Sequence, residues 1–259
     1  MKLAPRAPAI RIALLLALAF GAACVTVPKR TALPAEHADD ASVLGIPRAR
    51  MWGDEPPPWD HDWFLKSNEE IKDRYSGIYG RKHTYLAISG GGENGAFAAG
   101  LLLGWTEAGT RPEFTAVTGI SAGALVAPFA FLGPEYDDVL KNVSSELTAD
   151  DVYDERRLIR GLRSDAMAST EPLQGLIAKY VDQEVMEKIA AAHREGRTLN
   201  IGTANLDSMR PVIWRIGAIA NSGHPRALEV IRKILLASAS IPVAFPPVLI
   251  DVTVDGERY

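Results

Sequence analysis

The chain has 259 residues, 47% hydrophobic and 23% charged, which fits one large globular domain, with or without a tail. The formal net charge is −4, and without residues 1–23, which carry Lys2, Arg6 and Arg11 and no acid, the remainder stands at −7. That balance argues against a nucleic-acid partner, which calls for a basic patch, and a single cysteine excludes an internal disulfide.

The N-terminus reads as a secretory signal. MKLAPRAPAIR is basic and acid-free, IALLLALAF is an unbroken apolar run, and GAAC closes it with small residues. The uncharged stretch from Ile12 to Pro28 is 17 residues, short of the ~20 that span a bilayer. GAAC resembles the lipobox of bacterial lipoproteins, in which the cysteine, here Cys24, becomes the lipidated first residue. Gly21 departs from that pattern, which prefers leucine. The resemblance implies a lipid-anchored protein of the cell envelope, and Val25 in place of Asp points to the outer membrane of a Gram-negative cell.

Residues 25–82 show no clear periodicity and include the proline run DEPPPWD. They read as a tether followed by an N-terminal extension packed on the domain. Trp52, Trp59, Trp63 and Phe64 argue against a merely disordered segment. His61, between Asp60 and Asp62, has no recognisable metal-ligand spacing and reads as a polar loop.

From residue 83 the pattern changes to that of an α/β domain running to Tyr259. TYLAIS (84–89) reads as a buried strand and NGAFAAGLLLGWTEAG (94–109) as a helix that stops near Gly109. FTAVTG (114–119) is a second strand, running into GISAGALVAPFAFLG. Between the first strand and its helix, Gly90, Gly92 and Gly95 fit G-x-G-x-x-G, which suits a dinucleotide or another anion held by backbone N–H groups. After the second strand, Gly119, Ser121 and Gly123 fit G-x-S-x-G, the nucleophile elbow that exposes a serine on a sharp strand-to-helix turn. Each motif alone is weak. Together they place a glycine loop and a serine at the ends of successive strands, as an oxyanion hole and a nucleophile require. A dinucleotide site wants an acid at the end of the second strand; Glu113 precedes that strand, and Ser121 stands at its end.

GGGENG (90–95) and GISAG (119–123) resemble the oxyanion loop and nucleophile elbow of the patatin-like phospholipases. TEPLQGLIAKYVD (170–182), LNIGTANLDSMRPVIW (199–214) and LLASASIPVAFPPV (235–248) are similar to stretches of bacterial members. The resemblance implies a three-layer α/β/α fold with a mostly parallel sheet. It implies a lipid acyl ester hydrolase with Ser121 as nucleophile and Gly90, Gly91 and Gly92 as the oxyanion loop. The partners implied are a lipid or ester substrate and a membrane reached through the N-terminal anchor, with no metal or organic cofactor. Asn94 departs from the arginine or lysine of most relatives, removing a positive charge near the oxyanion.

The family's base is an aspartate that forms a dyad with the serine. Among the histidines, only His193 and His224 follow the serine; the first reads as solvated or capping at a polar helix end, the second as a loop residue. Asp255 in VTVDGERY is open to two readings. As Asp-Gly it matches the dyad motif, with Glu257 where the family has Gly or Ala. Between VTV and ERY it is also the strongest short-range signal for a two-residue hairpin, and this reading is favoured. It leads to the expectation that the domain is incomplete at its C-terminus, with the dyad acid beyond Tyr259. The competing functional class is a catalytically silent lipoprotein that keeps the fold as a binding module.

Overall fold

The structure is a computed structural model that describes residues 31–57, 65–147, 169–242 and 245–259. Residues Ala32–Tyr259 form one compact unit. The signal-like segment, Cys24, Trp59, His61, Trp63 and Phe64 lie outside the described residues.

Among the described residues, a 3-10 turn (Ala35–His37), a strand and a helix precede Thr84, and the strand belongs to the central sheet. β1 (Arg50–Trp52) pairs antiparallel with a strand about 160 residues further on, matching Arg50 with Trp214. It is fixed by a buried arginine: Arg50 donates to the carbonyls of Ala38 (2.8 Å) and Ala41 (3.1 Å) and lies over the Trp52 ring. The Trp52 indole N–H donates to Asp39 at 2.6 Å. The extension therefore does more than pack on the domain. Three residues are too few to show alternation, so no local signal marks this strand. α1 (Asn68–Arg74) starts with a full capping box, in which Ser67 and Glu70 satisfy each other's backbone N–H groups.

β2 (Tyr85–Ile88), α2 (Gly95–Glu107), β3 (Ala116–Ile120) and α3 (Ala122–Leu132) follow the expected order, with Gly109 at φ +69° just past the end of α2. α4 (Asp137–Leu147), α5 (Glu171–Tyr180) and α6 (Gln183–Arg194) lead to the hairpin of β4 (Thr198–Asn205) and β5 (Arg210–Arg215). α7 (Ile216–Ala220), α8 (Ala227–Ala239) and the small hairpin of β6 (Thr253–Val254) and β7 (Glu257–Arg258) complete the described chain.

The five-stranded sheet has the order β1-β5-β4-β3-β2. β2, β3 and β4 are mutually parallel, β5 opposes β4, and β1 opposes β5. Four of the five strands therefore point the same way, and the sheet is mostly parallel. Cross-strand partners share a face. The row Ile88–Gly119–Ile201–Trp214 is buried under the helices, with α3 lying directly on β3. This is an α/β fold, consistent with the expected three-layer arrangement.

One expectation needs correcting. β2 is not a fully buried strand: it is the sheet edge, buried at Ile88 but 73% exposed at Tyr85. The apolar run is the same for a central strand and for an edge strand with one covered face, so the sequence cannot separate the two.

Candidate active site

Ser121 is the single residue between β3 and α3. Its φ of +55° and ψ of −126° lie outside the regions that L-residues favour, a strain of about 1–3 kcal/mol that persists only where surroundings over-determine it. The flanking glycines supply that determination. A Cβ on Gly119 would stand 2.5 Å from the Gly123 carbonyl oxygen and 2.8 Å from the Ala127 Cβ. A Cβ on Gly123 would collide with the Ile88 carbonyl and stand 2.6 Å from that of Ser89. The turn thus packs backbone against backbone on the end of β2.

The glycine loop lies against the same serine. A Cβ on Gly90 would be 2.8 Å from the Ser121 Cβ and 3.4 Å from its Oγ. Gly91 faces the Asn94 Cβ, and Gly92 has φ +55° with open space around it, so its requirement is conformational. Gly95 begins α2 where a Cβ would stand 2.7 Å from that of Ala122, which begins α3. Two helix N-termini, each a partial positive end, therefore meet beside Ser121. The first turn of α3 carries no acid.

Donor bookkeeping narrows what can face a ligand. The Ser121 N–H donates to Ser238 Oγ at 2.9 Å, and the Ala124 N–H donates to the Ser121 carbonyl at 2.8 Å. The N–H groups of Ala122 and Gly123, in the first turn of α3, have no intrahelical acceptor. Such a cluster suits negative charge developing next to the serine. Ser238 had no local signal, being one serine inside the apolar helix α8, 117 residues away.

No carboxylate or imidazole is hydrogen-bonded to Ser121 Oγ among the described residues. Asp255 and Gly256 have φ +49° and +85° and connect Val254 to Glu257, a two-residue hairpin turn. Asp255 is exposed. His224 accepts the Arg226 N–H at 3.1 Å at the start of α8. His193, in the last turn of α6, is half-buried beneath Gly217, and burial, with Arg215 second, pushes its pKa down. Glu113 is exposed and pairs with the buried Arg197 at 3.0 Å. Asn94 is exposed in the 3-10 turn Gly92–Asn94 and makes no side-chain cap. Among the described residues no group of three His, Cys, Asp or Glu is placed to hold a metal ion.

Comparison with curated proteins gives no match. The family comparison covers two thirds of the chain, including both glycine motifs, Ser121 and Asp255: residues 86–259 match the patatin-like phospholipases, and the chain belongs to that family of lipid acyl hydrolases.

Proposed function

We propose that the chain hydrolyses carboxylic esters of lipids through an acyl-enzyme on Ser121. The Ser121 hydroxyl attacks the ester carbonyl, the alcohol leaves, and water then cleaves the acyl group. N–H groups of the Gly90–Gly92 loop and of Ala122 stabilise the oxyanion in each step. The observation that carries this reading is the seat of Gly90 against Ser121, where a Cβ would stand 2.8 Å from that of the serine, so only a glycine brings the loop backbone up to the nucleophile. The base is an aspartate. Because Asp255 turns a hairpin, Asp255→Asn should leave activity within about twofold, since Asn-Gly suits the same turn.

The test is hydrolysis of a p-nitrophenyl ester series and labelling by a fluorophosphonate, with Ser121→Ala as reference. Turnover and labelling that both vanish in Ser121→Ala are the expected result. A folded wild-type chain that neither turns over nor labels would instead mean that the base is not among these residues or that the second reading holds, a binding module. That reading draws on the absence of a base at Ser121 Oγ among the described residues.

The same proposal puts the protein on a membrane through acylated Cys24, at the outer membrane of a Gram-negative envelope. Cys24→Ala should move it from the membrane fraction to the soluble one and abolish incorporation of a clickable fatty acid.

A further inference from the structure

We infer that Ser238 is a positioning residue for the nucleophile, and that it acts by pinning the strained backbone of Ser121. The inference rests on the hydrolase reading above. A hydroxyl has one proton to give. Ser238 Oγ lies 2.7 Å from the Gly202 carbonyl, which can only accept, and 2.9 Å from the Ser121 N–H, which can only donate. The polarity of the bridge is therefore fixed: Ser238 donates to β4 and accepts from the elbow. One side chain of α8 ties the residue between β3 and α3 to the neighbouring strand.

Two consequences follow for chemistry. First, the bridge opposes relaxation of the +55° φ at Ser121. A non-glycine residue there gains by moving toward an ordinary turn, and that movement would swing Oγ away from Gly90. Second, the bridge engages the Ser121 N–H, so the oxyanion falls to the glycine loop and Ala122. Without Ser238, the Ser121 N–H would be free to rotate toward the substrate oxygen and the Gly202 carbonyl would lose a donor. Ser238 is only partly buried, so the bridge competes with water and its worth lies in direction more than in global stability.

The experiment compares Ser238→Ala, Ser238→Thr and Ser240→Ala in the full chain. Ser240 is the control, because among the described residues its hydroxyl donates back to α8, to the Leu236 carbonyl at 2.8 Å, and not to the elbow. Three readouts are taken: amide hydrogen exchange of residues 119–123, the fluorophosphonate labelling rate, and kcat and KM on a soluble ester. Ser238→Ala is expected to speed exchange at the Ser121 amide. It should lower labelling rate and kcat about tenfold to a hundredfold, the scale of a misplaced reacting group, with KM little changed. Ser238→Thr, which keeps the hydroxyl, is expected to recover most of the rate, and Ser240→Ala to match wild type. A folded Ser238→Ala chain with wild-type exchange and labelling would overturn the inference, as would a threonine variant no better than alanine. If Ser238→Ala does not fold, the threonine variant and the wild-type exchange at Ser121 decide. A wild-type chain that never labels overturns the hydrolase reading and the catalytic half of this one, while exchange still decides the pin.

Discussion

Two glycines beside Ser121 meet different neighbours, a third in α5 meets none, and substitution separates the three. Gly90 packs against the serine side chain, so the methyl of Gly90→Ala would stand 2.8 Å from the Ser121 Cβ and push the glycine loop and the elbow apart. We expect a folded protein with ester hydrolysis down about a hundredfold and a smaller loss of stability than at Gly123, read by comparing kcat/KM with thermal unfolding. Gly123 faces the backbone of Ile88 and Ser89, neither of which can move without parting β2 from α3. Gly123→Ala should lower stability by about 1–3 kcal/mol, the cost of overpacking, seen as a lower urea midpoint at unchanged slope. Gly175, inside α5, meets nothing within 4 Å and has no special φ. Gly175→Ala should stabilise by about 0.5–1 kcal/mol. A variant series in which all three behaved alike would mean that the close contacts at Gly90 and Gly123 are not what hold the turn.

Among the elements, legibility followed the range of the interactions that define them. The β3–Ser121–α3 turn and the β6–β7 hairpin were legible, because glycine and Asp-Gly chemistry within a few residues decides them. The capping box of Ser67 and Glu70 was written in the sequence as S-x-x-E and starts α1 inside a segment taken for an extension. β1 was not legible, because its partner Trp214 is 164 residues from Arg50 and the pairing is tertiary. The same holds for the Ser238 bridge. At His193 a tertiary contact adds to what the polar run shows: AAHREGR reads as a solvated or capping helix end, and α7 brings Gly217 onto the half-buried imidazole. Burial there favours the neutral ring, and the Arg215 and Arg194 charges add to it, against one opposing backbone hydrogen bond at Arg197. The folded pKa lies below the unfolded value of 6.5, so below that pH the unfolded chain binds a proton the folded chain refuses. Stability from this residue is complete above pH 6.5 and declines as pH falls toward the folded pKa. Unfolding midpoints measured from pH 7.5 to 5.0 should drop, and His193→Gln should drop less; parallel slopes would assign the acid sensitivity elsewhere.

At the scale of the molecule, apolar surface is unevenly covered. One face of the sheet holds the core, while the row that carries Ile120 on the other is partly open, with Ile120 itself 54% exposed beside Ser121. α2 adds Phe97 at 77% and Leu101 at 57% exposure, and Gly100, Leu101, Gly104 and Trp105 line an open groove of about 630 Å³. This groove lies along α2, five to ten residues past Gly95, rather than at Ser121. Exposed apolar side chains grouped in this way are where an apolar solute can settle on a folded protein. The folded chain should therefore brighten an anilinonaphthalene sulfonate dye without denaturant. Leu101→Gln should cut that signal by more than half while leaving the melting temperature nearly unchanged, since the side chain is more exposed than buried. Ile120→Gln distinguishes the two surfaces. If it quenches the dye and Leu101→Gln does not, the dye sits on the open sheet face next to the serine, and hydrolysis of a soluble ester should then be inhibited by the dye in step with its binding.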